Sequence, residues 1–330
     1  MASQLKRREF IAALGGAAAT WPLATRAQQA MPVVGFLGAP SAAPYMPRVA
    51  AIHQGLKEVG YVEGGNVRFE YRWADDHYDR LPALAADLVD RHVSVIVPIG
   101  GAPATVAAKA ATTTIPIVFD LGADPVKLGL VGSLGRPEGN VTGVAMMAVE
   151  LEAKRLELLH ELVPTAALIA FLVNPSNPQT ETQLQDAQKA ARAIGQRLLI
   201  VKASTEREIE TAFTTLVQER ADALLVGADV TFTSQVILLV LLTTRHAVPT
   251  VYPFRSSVDA GGLISYGANL LDSYRLTGVY AGRVLKGEKP ADLPILQPTK
   301  FELVINLKAA RVIGITIPAT LLARADEVIE

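Results

Sequence analysis

From residue 32 onward one pattern recurs along the chain. A short apolar run ends in Gly, Ala, Pro, Ser, Asn or Asp, and residues at helical spacing follow. VVGFL (33–37) leads into GAPSAAP, and Val49–Val59 then keeps a helical period. VRFEYRW (67–73) alternates like a half-buried strand, and RLPALAADLVDR (80–91) has the spacing of an amphipathic helix. SVIVPI (94–99) and IPIVFD (115–120) predict two further strands around a helix at Ala104–Ala111. The second half repeats the scheme. Leu151–Leu162 predicts a helix, ALIAFLV (167–173) a strand, and NPSNP a turn before a helix to about Ile194. RLLIVKA (197–203), Glu206–Arg220 and ADALLVGAD (221–229) continue it. Phe232–His246 is apolar enough for a buried helix, and VPTVY (248–252) and GLISYG (262–267) complete the run of strands.

Strands that are apolar throughout, alternating with helices, predict parallel sheets covered on both faces. Their number exceeds one sheet. The expected fold class is α/β, with two doubly wound parallel-sheet lobes. The boundaries read as lobe 1 at 32–144, with about 268–290 returning to it, and lobe 2 at 145–267, with about 294–330 crossing back. Lys286–Pro298 (KGEKPADLPILQP) is rich in Pro and charge and predicts a linker. FELVIN (301–306) predicts a strand, and Leu307–Glu330 two short helices.

The first residues break this pattern. Lys6-Arg7-Arg8-Glu9-Phe10-Ile11 is a basic cluster with an arginine pair, and a mildly apolar stretch with Gly15 and Gly16 follows. Small residues at Thr25 and Ala27 precede Gln28. Residues 1–27 are expected to be a twin-arginine-type signal peptide removed near Ala27, with the ordinary secretory route as the alternative. Its removal takes four basic residues and one acidic residue from 31 and 32, and turns a formal net charge of −1 into −4. A periplasmic protein is expected. That charge gives no reason to expect a nucleic-acid partner. The sequence has no cysteine, which excludes disulfides, thiolate metal sites and a Cys nucleophile.

Ligands of open parallel sheets sit beyond the carboxyl ends of the strands. The candidate loops are therefore Gly38–Ser41, Gly100–Pro103 and Asp120–Asp124 in the first half. Asn174–Ser176, Gly227–Asp229 and Tyr252–Arg255 are their counterparts in the second. The Gly100-Gly101 turn lacks the Lys and the glycine spacing of a nucleotide loop, and lacks the third glycine of a dinucleotide fingerprint. It remains either a helix start offering free N–H groups to a carboxylate or phosphate, or a plain turn. Asp75, Asp76, His77 and Asp79 resemble metal ligands on paper but sit where Asp caps a helix. No histidine pair has metal spacing, and no Ser stands in a nucleophile elbow, so no metal, cofactor or catalytic residue is expected. Asp124 and Asp229 suit acid–base work, helix capping or the anchoring of an ammonium equally.

Long blocks carry a family resemblance. LKEVGYVEGGNVRFEYRWADDHYDRLPALAADLV (56–89), DPVKLGLVGSLGRPEGNVTG (124–143), AGGLISYGANL (260–270) and VLKGEKPADLPILQPTKFELVINLKAA (284–310) resemble the ABC-transporter substrate-binding proteins of the tryptophan/tyrosine type. ATTTIPIVFD, KRLELLHELVP and ADALLV add to it. The resemblance implies a type I periplasmic-binding-protein fold whose two lobes are joined by three crossings. It implies a small solute held between the lobes and passed to an inner-membrane permease with a cytoplasmic ATPase. Carried onto this chain, the ligand contacts fall at Ser41, Gly101, Ala102, Asp124, Asn174, Asp229, Tyr252 and Arg255. Helix starts near Ser41 and Ala102 would receive a carboxylate, and Asp229 or Asp124, with Asn174, an ammonium. Tyr45, Phe232, Tyr252 and Phe254 are candidates to stack an aromatic ring or to fill the core. Val144, Ala145, Gly267 and Ala268 are the expected hinge. A non-enzymatic monomer carrying a small organic solute, an aromatic amino acid or related carboxylate, is the reading. A sensor feeding a membrane receptor, or an enzyme on the same scaffold, is the alternative.

Overall fold

The computed structural model describes residues 31–330, so the segment read as an export signal lies outside the described residues. The first half builds β1 (Val33–Gly38), α1 (Ala42–Glu58), β2 (Arg68–Trp73), α2 (Leu81–Asp90), β3 (Val95–Ile99), α3 (Ala102–Ala111), β4 (Ile117–Leu121) and β5 (Val141–Ala145). These strands form one parallel sheet in the order β2-β1-β3-β4-β5. β3, β4 and β5 are buried along their whole length, which is why apolar residues fill both of their faces, with Asp120 in β4 and Thr142 in β5 as the polar exceptions. β2 is the edge strand and alternates. Its Phe69 and Tyr71 pack with Phe36 and His53 under α1.

The second half builds α4 (Glu152–Leu162), β6 (Leu168–Val173), α5 (Thr180–Ala193), β7 (Arg197–Lys202), α6 (Glu206–Gln218) and β8 (Ala223–Val226). α7 (Val230–Ser234), α8 (Val236–Arg245), β9 (Thr250–Tyr252), α9 (Arg255–Asp259) and β10 (Ile264–Ala268) follow. After them come α10 (Leu270–Leu285), β11 (Phe301–Asn306), α11 (Leu307–Ile313), α12 (Ala319–Leu322) and β12 (Glu327–Ile329). The second sheet has the order β12-β11-β10-β9-β8-β6-β7. It is parallel from β7 to β10, and β11 joins antiparallel to β10.

The chain passes between the sheets three times, after β5, after β10 and before β11. Helix α10 leaves the second sheet and packs on α1, β4 and β5 of the first. Residues 286–298 do not form the free linker that their Pro and charge content suggests. Leu293 and Ile295 are buried, the Leu293 carbonyl accepts from Thr142 Oγ1 at 2.8 Å, and the Ala145 amide donates to the Leu296 carbonyl at 2.8 Å. This segment is a strap along β5, held because its apolar side chains find the first lobe's core.

Three local expectations change. α1 starts at Ala42, well before Val49, and carries Pro47 inside its first turns. The apolar run at 232–246 breaks at Gln235 into α7 and α8, and leaves Ile237 and Leu241 in solvent. The chain ends in a strand, β12, beyond the two short helices.

Candidate ligand-binding cleft

Strand order turns back at two places, between β1 and β3 and between β6 and β8. Loops diverge at such a point and leave a crevice. The two crevices face each other, so the starts of α1 and α3 look across at Asn174–Asn177 and Ala228–Asp229. The space between them holds a cavity of about 50 Å³ that opens to solvent. From the first lobe it is lined by Tyr45, Arg48, Gly101, Ala102, Asp120 and Tyr274; from the second by Asn177, Gln179, Asp229, Thr233 and Phe254. Met146, in the first crossing, lines it too.

The Gly-Gly turn earns its composition. Gly100 and Gly101 have φ of 92° and 76°, and Gly101 pairs this with ψ of −147°, a region essentially closed to residues with a Cβ. A Cβ on Gly100 would also lie 2.6 Å from Pro40 Cδ. The turn sets the start of α3, the positive end of its dipole, at the cleft wall through Gly101 and Ala102.

Asp229 is prepared from behind. Its Oδ1 accepts from Asn174 Nδ2 at 3.0 Å and from the Thr231 amide at 2.8 Å, and its Oδ2 accepts from Asn177 Nδ2 at 2.6 Å. Asn174 is itself held by Ser204 Oγ, which donates to its Oδ1 at 2.8 Å. Burial still raises the Asp229 carboxyl above the usual range, against these hydrogen bonds.

Asp120, the fourth residue of β4, is 1% exposed. Ser273 Oγ of α10 donates to its Oδ2, whereas Oδ1 has no partner among the described residues. Burial pushes this carboxyl up to about 7, opposed by the Ser273 hydrogen bond and the nearby Arg48 charge. Arg48 is also buried. It donates from Nη1 to the Pro44 carbonyl at 3.1 Å and stacks its guanidinium 4.2 Å from the Tyr45 ring centroid, leaving Nε without a partner. Asp120 and Arg48, each with one buried polar atom unmatched among the described residues, thus line one cavity. Unmatched buried polar groups of this kind are costly in a folded chain.

The residues read from sequence are distributed unevenly. Gly101, Ala102 and Asp229 line the cleft, and Asn174 stands directly behind Asp229. Ser41 turns aside to donate to Asp76 Oδ2 at 3.4 Å. Asp124 caps its own turn, with Oδ1 accepting from the Val126 amide at 2.8 Å. Tyr252 lies inside the second lobe's core with its hydroxyl 2.9 Å from Thr243 Oγ1, because β9 has not yet ended there. Arg255 faces outward and pairs with Glu327 of β12 at 2.7 Å. Of the aromatic candidates, Tyr45 and Phe254 border the cleft, while Phe232 fills the second lobe's core. Asp75 and Asp76 do not cap α2. Asp75 pairs with Arg80 at 2.9 Å, and a single 3-10 turn, Tyr78–Arg80, leads into the helix. Arg48 and Tyr274 were not among the sequence candidates, and Asp120 stood only as the first residue of the candidate loop Asp120–Asp124.

The ABC transporter substrate binding protein family matches residues 36–329. The chain belongs to that family. A tyrosine-binding protein of Clostridioides difficile (strain R20291) is 28% identical over 252 residues, 76% of this chain and 72% of that protein. The crystal structure of the ABC domain from Streptococcus pneumonia in complex with L-Trp is 28% identical, with a TM-score of 0.80, and the match covers 90% of this chain and 99% of that one. A conserved domain protein from Vibrio cholerae is 27% identical with a TM-score of 0.82, over 90% and 99% of the two chains. The fold is that of the type I periplasmic binding proteins. Substrate-binding proteins of this family capture small solutes and work with a permease and its ATPase, and the family is not one of enzymes.

Proposed function

We propose that this substrate-binding protein serves an importer and closes on an α-amino acid with a bulky, preferentially aromatic, side chain. One observation carries the reading: Asp120 and Arg48, whose buried Oδ1 and Nε have no partner among the described residues, line the same cavity. A zwitterion matches both. Its ammonium meets Asp120 Oδ1, with Asp229 adding negative potential from the facing lobe. Its carboxylate meets Arg48 and the first amides of α3. Tyr45, Tyr274, Phe254 and Met146 supply apolar surface for the side chain. The L-Trp complex and the tyrosine-binding relative support this class. In this reading the lobes turn about Val144–Ala145, Gly267–Ala268 and the strap before β11.

Thermal melts and calorimetry against L-tryptophan, L-tyrosine, L-phenylalanine, tryptamine and indole-3-propionate test it. At least one of the three amino acids should raise the melting temperature of the folded form. The analogues lacking a carboxylate or an ammonium should bind about 100-fold more weakly, since each leaves one buried charge unmatched. An analogue binding as tightly as its parent amino acid would refute the zwitterion assignment.

The location rests on Arg7-Arg8. Replacing the pair by Lys-Lys should leave the precursor in the cytoplasm, seen by fractionation and blotting. Continued export would assign the chain to the ordinary secretory route.

A further inference from the structure

The described lobes touch through a polar contact that no cleft-lining residue makes. Tyr78, in the 3-10 turn ahead of α2, packs its ring against the apolar clusters of the first lobe. Its hydroxyl lies 3.2 Å from Thr231 Oγ1 in α7 of the second lobe. Thr231 is buried, and its Oγ1 also accepts from Asn174 Nδ2 at 3.2 Å, which leaves its hydroxyl proton free for the tyrosine. The Thr231 amide donates to Asp229 Oδ1. Beside it, Val230 inserts among the first lobe's apolar side chains, and a Cβ on Gly100 would lie 3.1 Å from Val230 Cγ2.

We propose that Tyr78 and Thr231 form an interlobe latch that sets how long the solute is held, with Asn174 and Asp229 coupling the latch to occupancy of the cleft. This rests on the solute-binding reading above. The physical argument is one of place. Neither side chain borders the cavity, so neither contributes to direct contact with the solute. Their hydrogen bond exists only while the lobes are together. It stabilises the closed state alone, and a contact made only in the closed state slows release more than it speeds capture. The coupling is equally local. Asp229 holds the Thr231 backbone and Asn174 its hydroxyl, so a solute drawn onto Asp229 steadies the very group that Tyr78 reaches. Burial raises the carboxyl of Asp76, two residues before Tyr78, and the Asp229 charge across the cleft adds to that rise.

Tyr78→Phe removes the hydroxyl and keeps the ring in its apolar seat. Thr231→Ser keeps the hydroxyl and is the conservative control. Stopped-flow dissociation of L-tryptophan or L-tyrosine should be roughly 3- to 10-fold faster in Tyr78→Phe, the worth of one net hydrogen bond. The association rate should change less than about twofold, and Thr231→Ser should stay near wild type. Small-angle scattering of the ligand-free protein should give a larger radius of gyration for Tyr78→Phe than for wild type. A dissociation rate equal to wild type, or a loss confined to association, would overturn the latch. If neither amino acid binds the wild-type protein, the binding reading fails, and scattering decides the latch alone: equal radii for wild type and Tyr78→Phe would overturn it.

Discussion

Replacing Asp120 by Asn is expected to make the ligand-free protein more stable and to cost it its ligand. The carboxyl sits in β4 between Phe119 and Leu121, is 1% exposed and has one unmatched oxygen. Burial, as the largest cause, raises it to about 7 from 3.8. The sign follows from linkage. A carboxyl whose folded value is raised gives its full stability below the unfolded value, and that stability is lost as pH climbs from about 4 through about 7. At neutral pH the ionised group therefore costs the fold on the order of a few kcal/mol. Asn removes that cost, and melts from pH 5 to 9 should show the variant gaining several degrees, most above pH 7. Binding moves the other way. Without the carboxylate a ligand ammonium faces Ser273 and Arg48 with no counter-charge, and affinity by calorimetry should fall about 100-fold or more. Protons compete with the same ammonium in the wild type. Affinity should thus be flat above pH 7 and fall by up to about tenfold per unit below it. A variant that binds as well as wild type, or that melts lower at pH 8, would remove Asp120 from this role.

The scaffold was legible because burial on both faces forces a plain signature. β1, β3, β4 and β6 must be apolar almost throughout, and loops at their carboxyl ends must carry the small residues that let a ligand near the backbone. That logic picked out Gly101, Ala102 and Asp229, which line the cavity. From the stretch Asp120–Asp124 it took Asp124, whereas Asp120 is the residue that lines the cavity. A carboxylate inside the apolar run IVFDL was the available signal, since a charge in a fully buried strand needs a reason. Arg48 and Tyr274 carried no such mark. They reach the cleft from helices, and nothing along the sequence says which turn of α1 or α10 faces inward. Tyr252 was chosen as a strand-end residue, but β9 is only three residues long and its last side chain still points into the core. The apolar run at 232–246 misled for a related reason. Composition cannot tell a helix buried all round from one that shows Ile237 and Leu241 to solvent.

Gly55→Ala should be among the most damaging single substitutions in the first lobe, although it adds only one methyl group. α1 and α10 touch backbone to backbone. A Cβ on Gly55 would lie 1.9 Å from the Arg275 carbonyl oxygen and 2.8 Å from the Val279 nitrogen, and one on Gly278 would lie 2.0 Å from the Ile52 carbonyl oxygen. The obstructing atoms belong to helix backbones, so no side-chain rotation relieves the clash. The helices must separate, and the apolar contacts of Ile52, Leu56 and Ala281 across the seam loosen with them. The Arg275–Glu58 ion pair at 2.7 Å, on the exposed rim, offsets little. Overpacking of this kind costs roughly 3 kcal/mol, and the melting temperature should fall by about 6 °C or more. The consequence reaches the cleft. α10 begins directly after the second crossing and carries Ser273, which holds Asp120, and Tyr274, which lines the cavity. Gly55→Ala should therefore weaken solute binding as well as stability. Gly135→Ala is the control, because a Cβ there meets nothing within 4 Å. Its melting curve should overlay that of wild type. If Gly55→Ala melts with it, the helix seam does not position the cleft.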